Sequence, residues 1–157
     1  MRAGRTVIII MTFALVAVLC GCETTFTLRQ PDGFAVYTRE TASYKAITAD
    51  GVRLRAFSRK NEPRGDAGMW GETVRVSLAE RGYRLTSEKA LSGRNNMRGK
   101  LYEYDYWYNG EDYRYSVGLF VEDDVVYIIE ACGEAASYDR RKNDIAAAMN
   151  SFDAKKN

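Results

Sequence analysis

Two tyrosine-rich runs meet at Asn109-Gly110, and no other feature of the chain restricts its folding as tightly. Residues 101–108 read Leu-Tyr-Glu-Tyr-Asp-Tyr-Trp-Tyr and residues 111–121 read Glu-Asp-Tyr-Arg-Tyr-Ser-Val-Gly-Leu-Phe-Val, largely with the period of two that marks a strand. Asn and Gly tolerate the positive φ of a two-residue hairpin turn, so Tyr108 is predicted to face Glu111. The turn length then fixes every pair beyond it: Tyr106 opposite Tyr113, Tyr104 opposite Tyr115, Tyr102 opposite Val117, and Asp105 opposite Arg114. One face of the ribbon is a tyrosine ladder and the other is charged.

A third strand is expected over residues 125–132, but its turn, Glu122-Asp123-Asp124, contains no glycine to set its length. If all three acids form the loop, Val125, Tyr127, Ile129 and Ala131 join the tyrosine face, and Glu130 turns outward near Arg114 and Ser116. A loop one residue shorter would put Glu130 among the tyrosines at a desolvation cost on the order of a few kcal/mol. The longer loop is expected on that ground.

Upstream, Pro31-Asp32-Gly33 is a turn and residues 34–37 are an edge piece. Residues 44–49 and 52–59 flank Asp50-Gly51, predicted as a second two-residue hairpin turn. Val52, Leu54 and Ala56 fall on one face of that strand, and Arg53, Arg55, Phe57 and Arg59 on the other. Trp70, Val74, Ser77, Leu78 and Arg81 follow the three-and-four spacing of a helix over residues 66–81 that stops at Gly82, with Trp70 as its core anchor. A final helix over residues 137–152 carries Tyr138, Ile145, Met149 and Phe152 as its stripe, and the last five residues should fray.

The first residues belong to a different kind of segment. Val7 to Leu19 is thirteen residues, apolar apart from Thr12, behind Arg2 and Arg5, against the roughly 20 residues a helix needs to cross a bilayer. It ends in Leu19-Cys20-Gly21-Cys22, which resembles the signal of bacterial lipoproteins: Leu19 and Gly21 form the cleavage site, and Cys22 is the residue cut free and lipidated. That resemblance covers residues 1–22 and implies a removed signal at 1–21, a lipidated Cys22 with a tether to residue 30, and one domain over 31–157 held at a membrane, outside the cytoplasm. Glu23 is not the Asp that marks inner-membrane retention in enteric bacteria, which favours the outer membrane. Cleavage takes the basic residues from 23 to 21, equal to the 21 acidic ones, so the mature chain is formally neutral and lacks the footprint of a nucleic-acid binder. It also leaves Cys132 as the one thiol, expected at a strand end as a small buried apolar residue with no intramolecular disulfide.

An antiparallel sheet packed against helices, one before and one after the meander, is an α+β two-layer sandwich. With Gly99 ahead of the strand bearing Tyr102 and Tyr104, this order resembles the Mog1/PsbP-like fold, including lipoproteins of the DcrB type. The resemblance spans residues 26–152 and implies a non-enzymatic interaction or assembly role with an envelope protein partner.

Catalytic signals are sparse. Histidine is absent, which removes the usual base of Ser/His and Cys/His sites and the commonest zinc ligand. Gly65, Gly68 and Gly71 lack the Lys-Ser/Thr of a phosphate loop, and no cofactor or metal set is evident. Glu103 and Asp105 are expected to pair with Arg114 and neighbouring basic strands. Asp123 and Asp124 form a solvated turn. Tyr106, Trp107, Tyr108 and Tyr113 could line a groove for a small amphipathic ligand or peptide, making a carrier the alternative to the interaction module; an enzyme ranks third. Arg53, Arg55 and Arg59 form a basic strip that could touch anionic lipid head groups beside the anchor. Replacing Cys22→Ala should leave an unprocessed precursor or release the protein from membranes. A processed variant that fractionates like the parent would exclude the lipid anchor.

Overall fold

The structure, a computed structural model, describes residues 25–40 and 42–155; the leader with Leu19, Gly21 and Cys22 lies outside the described residues. The elements run β1 (Thr25–Thr27), β2 (Ala35–Glu40), β3 (Ser43–Ile47), β4 (Arg53–Lys60), α1 (Ala67–Glu80), β5 (Arg84–Ser92), β6 (Arg98–Tyr108), β7 (Glu111–Val121), β8 (Val125–Glu134), α2 (Ala135–Asn150) and β9 (Asp153–Lys155). Seven strands form one antiparallel sheet in the order β2-β3-β4-β8-β7-β6-β5, and β1 pairs separately with β9.

The tyrosine hairpin has the expected register at every pair, from Tyr108 opposite Glu111 to Tyr102 opposite Val117. Asn109 and Gly110 take φ of 51° and 86°, the left-handed values a tight hairpin turn needs. The β3–β4 connection differs from expectation by one residue. Thr48 and Val52 close a three-residue loop, with Thr48 N–H donating to the Val52 carbonyl at 2.9 Å and Gly51 N–H to the Thr48 carbonyl at 3.1 Å. Gly51 sits at φ +84°, the left-handed position that ends such a loop.

The β7–β8 turn takes the register that the desolvation argument disfavoured. Glu122 N–H donates to the Val125 carbonyl at 2.9 Å, so only Asp123 and Asp124 span the gap. Val121 therefore faces Val126, and Val117 faces Glu130. Glu130 stands on the tyrosine face, whereas Tyr127, Ile129 and Ala131 lie on the other. The expected cost is offset because β4 lies next to β8 and sets Arg55 directly beside Glu130.

The α+β class, with an antiparallel sheet packed against helices, is as expected, and the helices divide between the faces, adding a third layer. Toward α2 the core contains Tyr44, Val52, Leu54, Phe120, Tyr127 and Ile129 with Tyr138, Ile145, Met149 and Phe152. Toward α1 it contains Tyr102, Tyr104, Val117, Leu119 and Val126 with Leu78, and Trp70 and Val74 pack beside them. Asp66 caps α1 by accepting from Met69 N–H at 2.8 Å, and Gly82 and Tyr83 close its end on the carbonyls of Ala79 and Leu78, each at 3.0 Å.

The C-terminal end of the described chain is built in more firmly than expected. Phe26, near which the fold is expected to start, packs its ring 5.6 Å from that of Phe152, and Asp153–Lys155, predicted to fray, is the strand that β1 pairs with. The edge strand β5 has no counterpart in the sequence-based expectation. Among the described residues, both cores and nine strands lie within residues 25–155.

Gly71 lets α1 approach the sheet: a Cβ there would stand 1.9 Å from the Tyr102 hydroxyl oxygen, and Tyr102 is buried and cannot yield freely. Gly71→Ala should lower thermal stability by about 1–3 kcal/mol through overpacking. Unchanged unfolding would mean that α1 docks elsewhere.

Candidate binding surfaces

On its α1 side the sheet is only partly covered, because α1 lies over β5, β6 and β7. The same side of β4 exposes Arg53, Arg55 and Arg59 around the half-buried Phe57, with Lys45 of β3 beside Arg55. Alternation along β4 produces this strip: its even-numbered neighbours Leu54 and Ala56 are buried toward α2. The Arg55 and Arg59 guanidinium carbons lie 5.0 and 4.9 Å from the Phe57 ring centroid, so two cations flank one aromatic ring. Arg55 also binds Glu130, which accepts a second hydrogen bond from the Tyr115 hydroxyl. Lys45, Arg53 and Arg59 have no carboxylate partner among the described residues. Arg55 does not reach Glu103 or Asp105, which point to the other face.

Glu103 and Asp105 find partners there. Glu103 binds Lys89 at 2.6 Å and Lys142 at 3.1 Å, and Asp105 binds Arg84 and Arg114 at 2.7 Å each. Burial raises the Glu103 carboxyl, but the two lysines outweigh it and hold the group below its ordinary value. The expected Asp105–Arg114 pair is present, and these carboxylates form a structural ion-pair network.

The residues proposed for a tyrosine groove do not share one surface. Tyr106 stacks on Tyr83 with centroids 4.3 Å apart and planes at 14°, and Tyr108 stacks on Tyr106 at 6.1 Å and 13°. Tyr113 lies opposite Tyr106. Trp107 projects to the opposite face, where it is 64% exposed. Period-two alternation separates it from its tyrosine neighbours, so the expected four-residue surface is a three-tyrosine patch with Trp107 behind it.

A concave site occurs elsewhere. A groove of about 440 Å³ runs between α1 and the β4–β8 pair, lined by Arg59, Lys60, Glu62, Trp70, Val126 and Ile128. It opens at the end of the sheet opposite the Asn109-Gly110 turn. Sequence reasoning assigned Trp70 to the core and missed Lys60; only the packing of α1 on β8 brings them together. The Trp70 indole N–H donates to Asn61 Oδ1 at 2.7 Å, which fixes the ring and leaves its face to the groove.

Cys132 is partly buried opposite Arg53 and Tyr115, and burial raises its thiol above the ordinary value. A thiol raised in this way is less ionised near neutral pH and so a weaker nucleophile. No helix among the described residues is long and apolar enough to cross a membrane.

No protein-family model and no curated protein matches the chain. Solved structures do match its fold. LpqN, involved in cell envelope biogenesis of Mycobacterium tuberculosis, superposes with a TM-score of 0.64 at 11% identity, over 85% of this chain and 84% of that one. The cyanobacterial PsbP of Synechocystis sp. PCC 6803 gives 0.54 at 13%, over 83% and 86%. A protein of unknown function from Pseudomonas aeruginosa, PA94, gives 0.52 at 13%, over 79% and 99%. The fold is PsbP-like.

The buried phenols make a pH prediction. Burial pushes Tyr104 and Tyr138 up to about 12 from an ordinary 10.0, and Tyr115 is raised further by burial and the Glu130 carboxylate. A group whose native pKa is raised contributes stability that is complete below its unfolded pKa, so these phenols stabilise up to about pH 10 and the contribution is lost on going toward pH 12. Phenolate absorbance and circular dichroism should therefore change together in that window. Ionisation of all tyrosines near their ordinary value in a folded protein would contradict the buried ladder.

Proposed function

We propose that the protein is a lipid-anchored, non-enzymatic binding module of the cell envelope that docks an acidic protein partner on the open face of its sheet. The observation that carries this reading is the Lys45, Arg53, Arg55 and Arg59 cluster around Phe57, a cationic surface with an aromatic centre and one acid, Glu130, already engaged. Arginine and aromatic side chains are the residue types that dominate protein interfaces, and unpaired guanidinium groups recognise carboxylates in two-point contacts. The likeness of fold to LpqN, a protein involved in cell envelope biogenesis, supports the envelope assignment. Glu23 after the lipidated Cys22 favours the outer membrane.

The position of the strip favours a protein partner over lipid for most of its length. Phe26 packs on Phe152 and Tyr127, close to the Lys60 end of β4, and Cys22 precedes Thr25 by three residues. A membrane reached through so short a tether lies at that end. At about 3.3 Å per residue, Arg53 stands about 20 Å further along the strand than Arg59. Head groups are then within reach of Arg59, while Arg53 and Arg55 face whatever stands beside the domain.

A photo-crosslinking side chain in place of Lys45 should capture a defined envelope protein in intact membranes, and one in place of Thr73, on the outer side of α1, should not. Arg53→Glu with Arg59→Glu should lower the yield from position 45 about tenfold, the effect of opposing charge at an interface. Equal capture from both positions, or indifference to the reversal, would overturn the docking face.

A further inference from the structure

We infer that the groove between α1 and the β4–β8 pair is a binding site for a single acyl chain ending in an anionic head, that is, a fatty-acid-like anion. The inference deepens the reading of the protein as a binding module but does not depend on a partner at Arg53.

The floor of the groove is apolar. Trp70 comes from α1 and Val126 and Ile128 from β8. Register carries the surface onward, since Phe57 lies directly opposite Ile128 and Arg59 opposite Val126. An elongated apolar track therefore runs from Trp70 past Val126 and Ile128 to Phe57. Its volume, about 440 Å³, falls within the range of roughly 300–1,000 Å³ typical of small-molecule sites.

The polar groups around it select the rest of the ligand. Trp70 spends its one donor on Asn61, so the indole presents an apolar face with no hydrogen bond to offer. Asn61 is itself buried and bonded to Gly65, Glu122 and Asp123 carbonyls, which leaves the floor without a free amide. At the mouth, Arg59 and Lys60 have no carboxylate partner among the described residues, and Glu62 is the single acid lining the groove. The pattern is an apolar floor with net positive charge at one end. It complements a hydrocarbon chain with one anionic head, and it offers a neutral polar head nothing in particular. The groove opens at the end of the sheet where Phe26 leads back toward Cys22, close to a supply of acyl chains if the anchor is in place.

The test uses the full chain with Trp107→Phe, which leaves Trp70 as its one indole. A bromine-labelled saturated fatty acid, added below its micelle-forming concentration, should quench Trp70 fluorescence saturably. Arg59→Gln with Lys60→Gln should weaken binding about tenfold, and Ile128→Gln, which puts an amide on the floor, should weaken it by a similar factor. An alkyl maltoside of equal chain length should compete about tenfold less well than the fatty acid. Quenching that does not saturate, that persists unchanged in the Arg59 and Lys60 double variant, or that the maltoside reverses equally well would overturn the site. Arg53→Glu separates the two proposals: it should reduce crosslinking to the envelope partner and leave fatty-acid binding unaltered.

Discussion

The side chain of Asn61 holds the arrangement on which the rest depends. It is 5% exposed, and its amide nitrogen lies within 2.9–3.2 Å of the carbonyls of Gly65, Glu122 and Asp123. Its oxygen accepts from Gly65 N–H at 3.0 Å and from the Trp70 indole at 2.7 Å, and its backbone N–H donates to the Asp124 carbonyl at 2.9 Å. One residue therefore satisfies the β7–β8 turn, shapes the loop entering α1 and aims Trp70. A buried amide is costly when unpaired and worth most when every donor and acceptor is used, so this network tolerates few alternatives. The turn it clamps sets the register of β8, and that register places Glu130 between Arg55 and Tyr115.

That dependence explains which parts of the fold were legible in the sequence. The β6–β7 register follows from Asn109-Gly110 alone, because the φ values the turn needs are a property of those two residues. α1 could be bounded because Asp66 and Gly82 carry its start and stop signals locally. The β7–β8 turn carries no such signal. Asp123-Asp124 is held by Asn61, about sixty positions earlier, and Arg64 Nε adds a bond to the Asp123 carbonyl at 3.0 Å. Weighing Glu130 against the tyrosines, without knowing that Arg55 would stand beside it, counted the desolvation and omitted the ion pair that offsets it. β5 is not legible in the sequence for a related reason: it is an edge strand with few buried residues and a bulge between Leu85 and Ser87, so its alternation is weak.

The candidate surfaces show the same division. That Arg53, Arg55, Phe57 and Arg59 share a face follows from alternation, and the structure agrees. That the face is open follows from α1 lying over β5, β6 and β7, a tertiary fact. The pairing of the tyrosine ladder follows from its turn, yet its inner members, Tyr102 and Tyr104, are core, and Tyr83 from the end of α1 stacks on Tyr106. Aromatic density on a strand is therefore an argument for packing first. The concave site formed where helix and sheet diverge, around a tryptophan whose sequence position gave no reason to separate it from the core.

Fold likeness at 11–13% identity fixes the architecture and leaves function to the surfaces. Those surfaces are ordered along the strands. The groove with Arg59 and Lys60 lies at the end where the chain leads back toward Cys22, the cationic strip rises from it along β4, and the stacked tyrosines with Trp107 lie at the far end. With the proposed anchor in place, a short tether would hold one end of the domain near the membrane, so chemistry suited to acyl chains belongs near that end and chemistry suited to proteins further from it. The groove and the strip share Arg59, whose guanidinium sits over Phe57. Neutralising that charge with an anionic head would remove one of the cations flanking the ring, and with it part of the potential that an acidic partner would meet.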